Sequence, residues 1–163
     1  MAAPAGARSS RDSFTEMTEI VLPQHTNALG SVFGGQVMSW VDICGAVVAQ
    51  RHCGRIAVTA AVDELNFLSP IQVGQVVVLS GRINAAFGSS MEVEVIVQVE
   101  DAATRSRKLC VEALLTFVAL DEHGRIRSAP PLREETEDDA RRVREATKRR
   151  EMRLLRRRLR GGG

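Results

Sequence analysis

The stretch FGGQVMSWVDICGAVVAQR, Phe33–Arg51, sets the one helix around which the rest of the chain has to be arranged. Val37, Val41, Cys44, Gly45 and Val48 recur at offsets of 0, 4, 7, 8 and 11 residues, a single stripe of a 3.6-residue repeat. The spacing predicts a helix from Gln36 to about Arg51, opened by Gly34–Gly35 and ended by Gly54. One carboxylate, Asp42, stands in it among Val37, Met38, Trp40, Val41 and Ile43. An acid in such company is solvated, paired or used.

Beyond this helix the period changes to two. In MEVEVIVQV, Met91, Val93, Val95, Val97 and Val99 share one face while Glu92, Glu94 and Gln98 lie on the other, the pattern of a strand. RIAVTAAVDELNFL, QVVVLSGRINAAF and RKLCVEALLTFVAL are further strand candidates, and SFTEMTEIVLP before the helix is a first strand stopped by Pro23. The intervals between the later strands are too short for crossover helices, so the sheet is expected to be antiparallel. The fold class that follows is α+β: one long helix on a curved antiparallel sheet.

At 163 residues the chain is long enough for one domain with a substantial core. Tyrosine is absent and there is one Trp, so aliphatic side chains must fill that core. The net charge of +2 hides two opposed parts: residues 1–140 hold 11 basic and 18 acidic side chains, whereas residues 141–160 hold 11 basic and 2 acidic. Boundaries are therefore expected at 1–12, a disordered lead, 13–131, the folded domain, and 132–163, a charged helical tail that is solvated or frayed. Acids near its start and bases near its end suit the helix dipole. The arginines of this tail have no aromatics beside them to stack on bases, so a nucleic-acid partner is not expected. Cys44, Cys53 and Cys110 are odd in number and form no C-x-x-C pair, which points to a reducing, cytoplasmic compartment. No apolar run is long enough to span a bilayer.

On a helical wheel the neighbours of Asp42 are Gly35, Gly45, Ala46 and Ala49, a strip small enough to let a backbone, a second subunit or a ligand come close. The helix start offers unpartnered amides that Gly34–Gly35 leave unshielded, a place for a developing oxyanion. A base and an oxyanion binder are the two parts acyl-transfer chemistry requires. Seven or eight residues of rise separate them by about 10–12 Å in one chain. Two antiparallel copies, each lending its glycine end to the other's Asp42, bring the parts together. A lone helical Asp also serves as a cap, an ion-pair partner or a solvated group, and the wheel alone does not choose among these.

The segments LPQHTNALGSVFGGQVMSWVDICGAVVAQRH, VTAAVDELNFLSPIQVGQVVVLSGRI and LLTFVALDEHGR closely resemble the hotdog-fold acyl-CoA thioesterases of the YciA and cytosolic acyl-CoA hydrolase type. The resemblance covers about Glu16 to Pro131. It implies a hotdog fold, with an antiparallel sheet wrapped round one central helix, and homodimers that share their active sites, assembling as a trimer of dimers. Asp42 matches the catalytic acid, Asn27 the loop asparagine that meets it from the opposite subunit, and Gly34 and Gly35 the amides that polarise the thioester carbonyl. The implied reaction is hydrolysis of acyl-CoA to a fatty acid and coenzyme A. Asp42 acts as general base or as nucleophile. Coenzyme A enters as part of the substrate, with no separate cofactor and no metal. Gly88, Ser89 and Ser90 match a segment that contacts the pantetheine arm or its phosphates, and they also read as a hairpin turn. Arg105, Arg107 and Lys108 are candidates to neutralise the nucleotide phosphates. Two other readings stand beside hydrolysis: an enoyl-thioester hydratase, for which His25 is the available partner of Asp42, and a non-catalytic acyl-CoA sensor.

Overall fold

The computed structural model describes residues 6–161. Its elements run in the order β1 (Arg8–Ser9), α1 (Ser10–Ser13), β2 (Thr15–Ile20), α2 (Gly34–Cys53), β3 (Ala57–Phe67), β4 (Val76–Phe87), β5 (Ser90–Glu100), β6 (Arg107–Ala119), β7 (Leu132–Arg133) and α3 (Glu137–Gly161). Five strands form one sheet in the order β2-β4-β5-β6-β3, each neighbouring pair antiparallel. That is the α+β hotdog arrangement expected, with β3 left at an open edge.

The alternation in β5 decides which side α2 covers. Met91, Val93, Val95 and Val97 are completely buried beneath α2, together with Val37, Val41, Cys44 and Val48 from its apolar stripe. Two glycines allow helix and sheet to approach. A Cβ on Gly45 would lie 2.9 Å from the Phe117 ring, and one on Gly81 would lie 2.7 Å from Val48. The small-residue strip on α2 therefore serves close packing on its own sheet at Gly45 and Ala49, both buried. Gly54 ends the helix in the left-handed conformation (φ 68°), its amide bonded to the Gln50 carbonyl.

Two expectations at the chain ends are corrected. Residues 1–5 lie outside the described residues, but Arg8–Ser13 are ordered rather than part of a disordered lead. Arg8 donates to the carbonyls of Arg51 (3.0 Å) and His52 (2.8 Å), capping the end of α2. Ser9 and Ser10 donate to Glu135 and Asp139. The tail is helical as expected, yet it is not a solvated appendage. It lies on the face of the sheet opposite α2, where Arg142 pairs with Glu94 (2.7 Å), Arg149 with Glu92 (2.7 Å) and Arg153 with Asp63 (3.0 Å). The basic tail matches an acidic sheet face: Glu92 is buried because Arg149 and Asn84 satisfy it.

Asp139 anchors the start of α3. Thr136 and Asp139 form a reciprocal capping box, each side chain accepting the other's amide. Burial by itself would raise the Asp139 carboxyl. The Glu135 amide, the Thr136 hydroxyl, Arg82 and Ser10 outweigh burial and hold it at about 2. A folded pKa below the unfolded value contributes stability that is complete above the unfolded pKa and fades as pH falls through the folded one. Asp139→Asn should therefore cost about 1–3 kcal/mol near neutral pH. Its deficit against the parent protein should shrink between about pH 4 and pH 2. Denaturant melts of both proteins across that range measure it, and a deficit independent of pH would contradict the assignment.

Candidate active site

Asp42 sits on the flank of α2 that faces β3. Thr59, on the inward face near the start of β3, donates its hydroxyl to Asp42 Oδ1 at 2.5 Å. Between the two elements runs a cavity of about 270 Å³. Gly35, Met38 and Asp42 of α2, Val62 and Leu65 of β3 and Leu115 of β6 line it. It is an apolar slot with a carboxylate at one end and the start of a helix at the other.

Within a single chain Asp42 is exposed, as are Met38 one turn earlier and Ile43 beside it. The physical reason is position. This flank looks out over the open edge of the sheet, where nothing from the same chain covers it.

At the other end of the slot, Phe33 precedes α2 without a side-chain cap. The Gly34 and Gly35 amides belong to the first turn, which has no intrahelical acceptor to offer them. A Cβ on Gly35 would lie 2.8 Å from the exposed Phe33 ring, which would have to swing aside to admit one. Asn27 lies in the loop leading to this helix start. Its Oδ1 accepts from the Leu29 amide (2.9 Å) and the Ser31 hydroxyl (3.3 Å), which turns the Nδ2 group outward as a donor. The loop is held in place by Val32 bonding to the Ile71 carbonyl and Phe33 to the His25 carbonyl.

One chain thus brings together Asp42, Thr59 and the Gly35 end of the slot. It does not bring Asn27 to Asp42. His25 is held elsewhere: its Nδ1 accepts from the Leu22 amide and its ring packs edge-on against Trp40 with centroids 5.1 Å apart. Among the described residues of one chain, nothing pairs it with Asp42.

The two sets of candidate substrate contacts lie at opposite ends of the sheet. Met91, Phe117 and Thr59 share one cross-strand row, so the Gly88–Ser89–Ser90 hairpin stands at the Asp42–Thr59 end. Arg105, in the connection from β5 to β6, and Arg107 and Lys108, which begin β6, lie at the far end. There Arg107 pairs with Glu16 and Glu100, both at 3.1 Å, while Arg105 and Lys108 are exposed.

Thr59 is the residue that sequence reasoning missed. It falls in a strand whose pattern marks it only as an alternate position, and its pairing with Asp42 depends on register across β3.

The thioesterase superfamily pattern matches residues 29–105. The chain is 39% identical over 132 residues to YkhA of Bacillus subtilis, named an uncharacterized acyl-CoA thioester hydrolase, covering 81% of this chain and 77% of that protein. It spans only 24% of the length of the mouse acyl-coenzyme A thioesterase 11 that it also matches. An acyl-CoA hydrolase from Staphylococcus aureus, solved with butyryl coenzyme A, coenzyme A and coenzyme A disulfide, superposes with a TM-score of 0.87 at 33% identity, covering 93% of this chain and 92% of that one. Alanine variants of that enzyme have been solved at an asparagine, an aspartate and a threonine whose spacings equal those of Asn27, Asp42 and Thr59. A hexameric acyl-CoA thioesterase superposes with a TM-score of 0.87 at 36% identity, covering 92% of this chain and 96% of that one.

Proposed function

The chain belongs to the thioesterase superfamily, and from that premise we propose that it hydrolyses acyl-CoA thioesters at a site completed by a second copy of itself. One observation carries the reading: a carboxylate fixed by Thr59 opens onto an apolar slot that also reaches the first amides of α2.

The acyl chain lies along Met38, Val62, Leu65 and Leu115, out of water. Asp42 takes a proton from a water molecule, whose oxygen forms a bond to the thioester carbonyl carbon. The negative charge that develops on the carbonyl oxygen is met by glycine amides at a helix start. Collapse breaks the carbon–sulfur bond, coenzyme A leaves as a thiolate, and the proton held by Asp42 is returned to the sulfur. Thr59 keeps the carboxylate aimed while it is charged.

Along one helix the acid and the glycine amides are about 10–12 Å apart, whereas an oxyanion needs donors within about 3 Å. The amides and Asn27 that serve Asp42 are therefore those of a neighbouring copy, whose outward Asn27 Nδ2 reaches the same carbonyl or its attacking water. The exposure of Asp42, Met38 and Ile43 at an open sheet edge supports such a homodimer, and the hexamer formed by a relative supports further assembly. Of the cationic candidates, Arg105 and Lys108 are left to meet the nucleotide phosphates, Arg107 being engaged with two carboxylates. Among the described residues no helix is long and apolar enough to cross a membrane. The buried, unpaired Cys44, Cys53 and Cys110 support a reducing, cytosolic setting.

Mixing tests the shared site. Asn27→Ala and Asp42→Ala should each release almost no free thiol from acyl-CoA. A 1:1 mixture after subunit exchange should regain about a quarter of parental activity, because half the dimers are mixed and each of those holds one intact site. Free-thiol release measures this, and no recovery would overturn the arrangement. Acyl-CoA binding without thiol release in the parent protein would favour the sensor reading.

A further inference from the structure

The last two turns of α3 have no role in the site described above. From its capped start the helix travels across the sheet: Arg82 of β4 bonds Asp139, Arg142 reaches Glu94 and Arg149 reaches Glu92 on β5, and Arg153 reaches Asp63 on the edge strand β3. Eight more residues of α3 follow Arg153, roughly 12 Å of helix at 1.5 Å per residue. Continuing in the same direction, they pass over the edge of the sheet. Among the described residues Arg156, Arg157, Arg158 and Arg160 enter no ion pair. Met152, Leu155 and Leu159 fall at offsets of 0, 3 and 7, one apolar stripe, and they are 52%, 48% and 76% exposed. Between this overhang and residues 61–64 of β3 is an open groove of about 530 Å³.

We propose that this overhang is a clasp that seats on the outer sheet face of a second copy of the chain. The inference rests on the homodimer reading above and adds to it the element that holds the seam from outside. Three features specify a second copy as the occupant. The edge strand β3 has no partner on its free side and exposes Val58 and Val62, so a neighbouring copy's strand can extend the sheet there and lie beneath the overhang. Clear of the neighbour's own α3, the outer face it would present carries the exposed Glu112 of β6, whereas Glu64 of β3 lines the groove under its own helix. Half-buried Leu114 projects from the same outer face of β6. Unpaired arginines and an apolar stripe thus meet a carboxylate and a leucine. The contact is isologous, so each chain clasps the other.

The test has two parts. Leu159→p-benzoylphenylalanine, illuminated in a mixture of isotopically light and heavy chains, should yield a covalent species of twice the chain mass that joins light to heavy. Its cross-linked peptides should fall in β3 or β6. Separately, Leu155→Glu with Leu159→Glu should raise the dimer dissociation constant about 10- to 100-fold by sedimentation while the far-ultraviolet spectrum is kept. Cross-links confined to one chain, or to lipid when anionic vesicles are added, would overturn the clasp, as would an unchanged dissociation constant. In those cases the Asn27/Asp42 mixing experiment still reports on the shared site. A parent protein that is monomeric at every concentration would overturn both.

Discussion

Asp42→Asn should lower kcat for acyl-CoA hydrolysis by about 10²–10⁴-fold, the range expected when a positioned general base is removed. The asparagine keeps the shape of the side chain and can still accept from Thr59, but it cannot take the proton of the attacking water. The slot and its apolar lining are untouched, so KM should change by less than about threefold if it reports binding. Steady-state free-thiol release over a range of acyl-CoA concentrations separates the two effects. Equal kcat in variant and parent would remove Asp42 from the chemistry. A single turnover in ¹⁸O-labelled water distinguishes base from nucleophile in the parent. With a mixed anhydride attacked at the Asp42 carboxyl carbon, label enters Asp42, whereas with direct attack by water it enters only the fatty acid.

Phe117→Ala should be the most destabilising single truncation of the core. The ring is completely buried, belongs to the largest fully buried group of side chains and lies directly against Gly45 of α2. Removing it from a rigid site costs about 3–5 kcal/mol, counting lost transfer energy and the residual cavity. For a chain of this size that lowers the melting temperature by about 6–20 °C. Phe117 is also the cross-strand neighbour of Thr59, so the loss should loosen the strand that aims Asp42. A thermal melt followed by calorimetry measures the first effect. A decrease of less than about 1 kcal/mol would mean that the helix settles into the space, the collapse that Gly45 alone would permit.

The central helix, the strands after it and their antiparallel order were legible because each is written in one periodicity over many residues. Val93, Val95 and Val97 needed only a period of two to be assigned to the core. Asp42 was legible as an anomaly, an acid on an apolar helix, and Gly34–Gly35 as an opening without side chains. What was not legible depended on distance in the sequence. Thr59 reaches Asp42 across 17 residues of sequence, beside a register shift in β3 between Thr59 and Ala61, and no local pattern announces either. Glu92 looked like a solvated alternate position, and Arg149 like one cation in a basic run, until 57 residues of separation closed into one ion pair. Arg8 was hidden in a lead of turn-forming residues, and its target is a pair of carbonyls at the end of another element. Long-range charge pairing leaves no periodic trace, so a docked helix and a free one read alike.

Docking α3 mainly through ion pairs has a consequence for how the protein behaves when it breathes. Among the described residues of α3 only Asp139 and Ala146 are fully buried, so peeling the helix away uncovers carboxylates more than grease. High salt, which screens the guanidinium–carboxylate contacts, favours that opening, and the surface it bares is charged. What is uncovered is a face that water solvates readily, so the helix can lift and reseat without presenting a broad apolar surface.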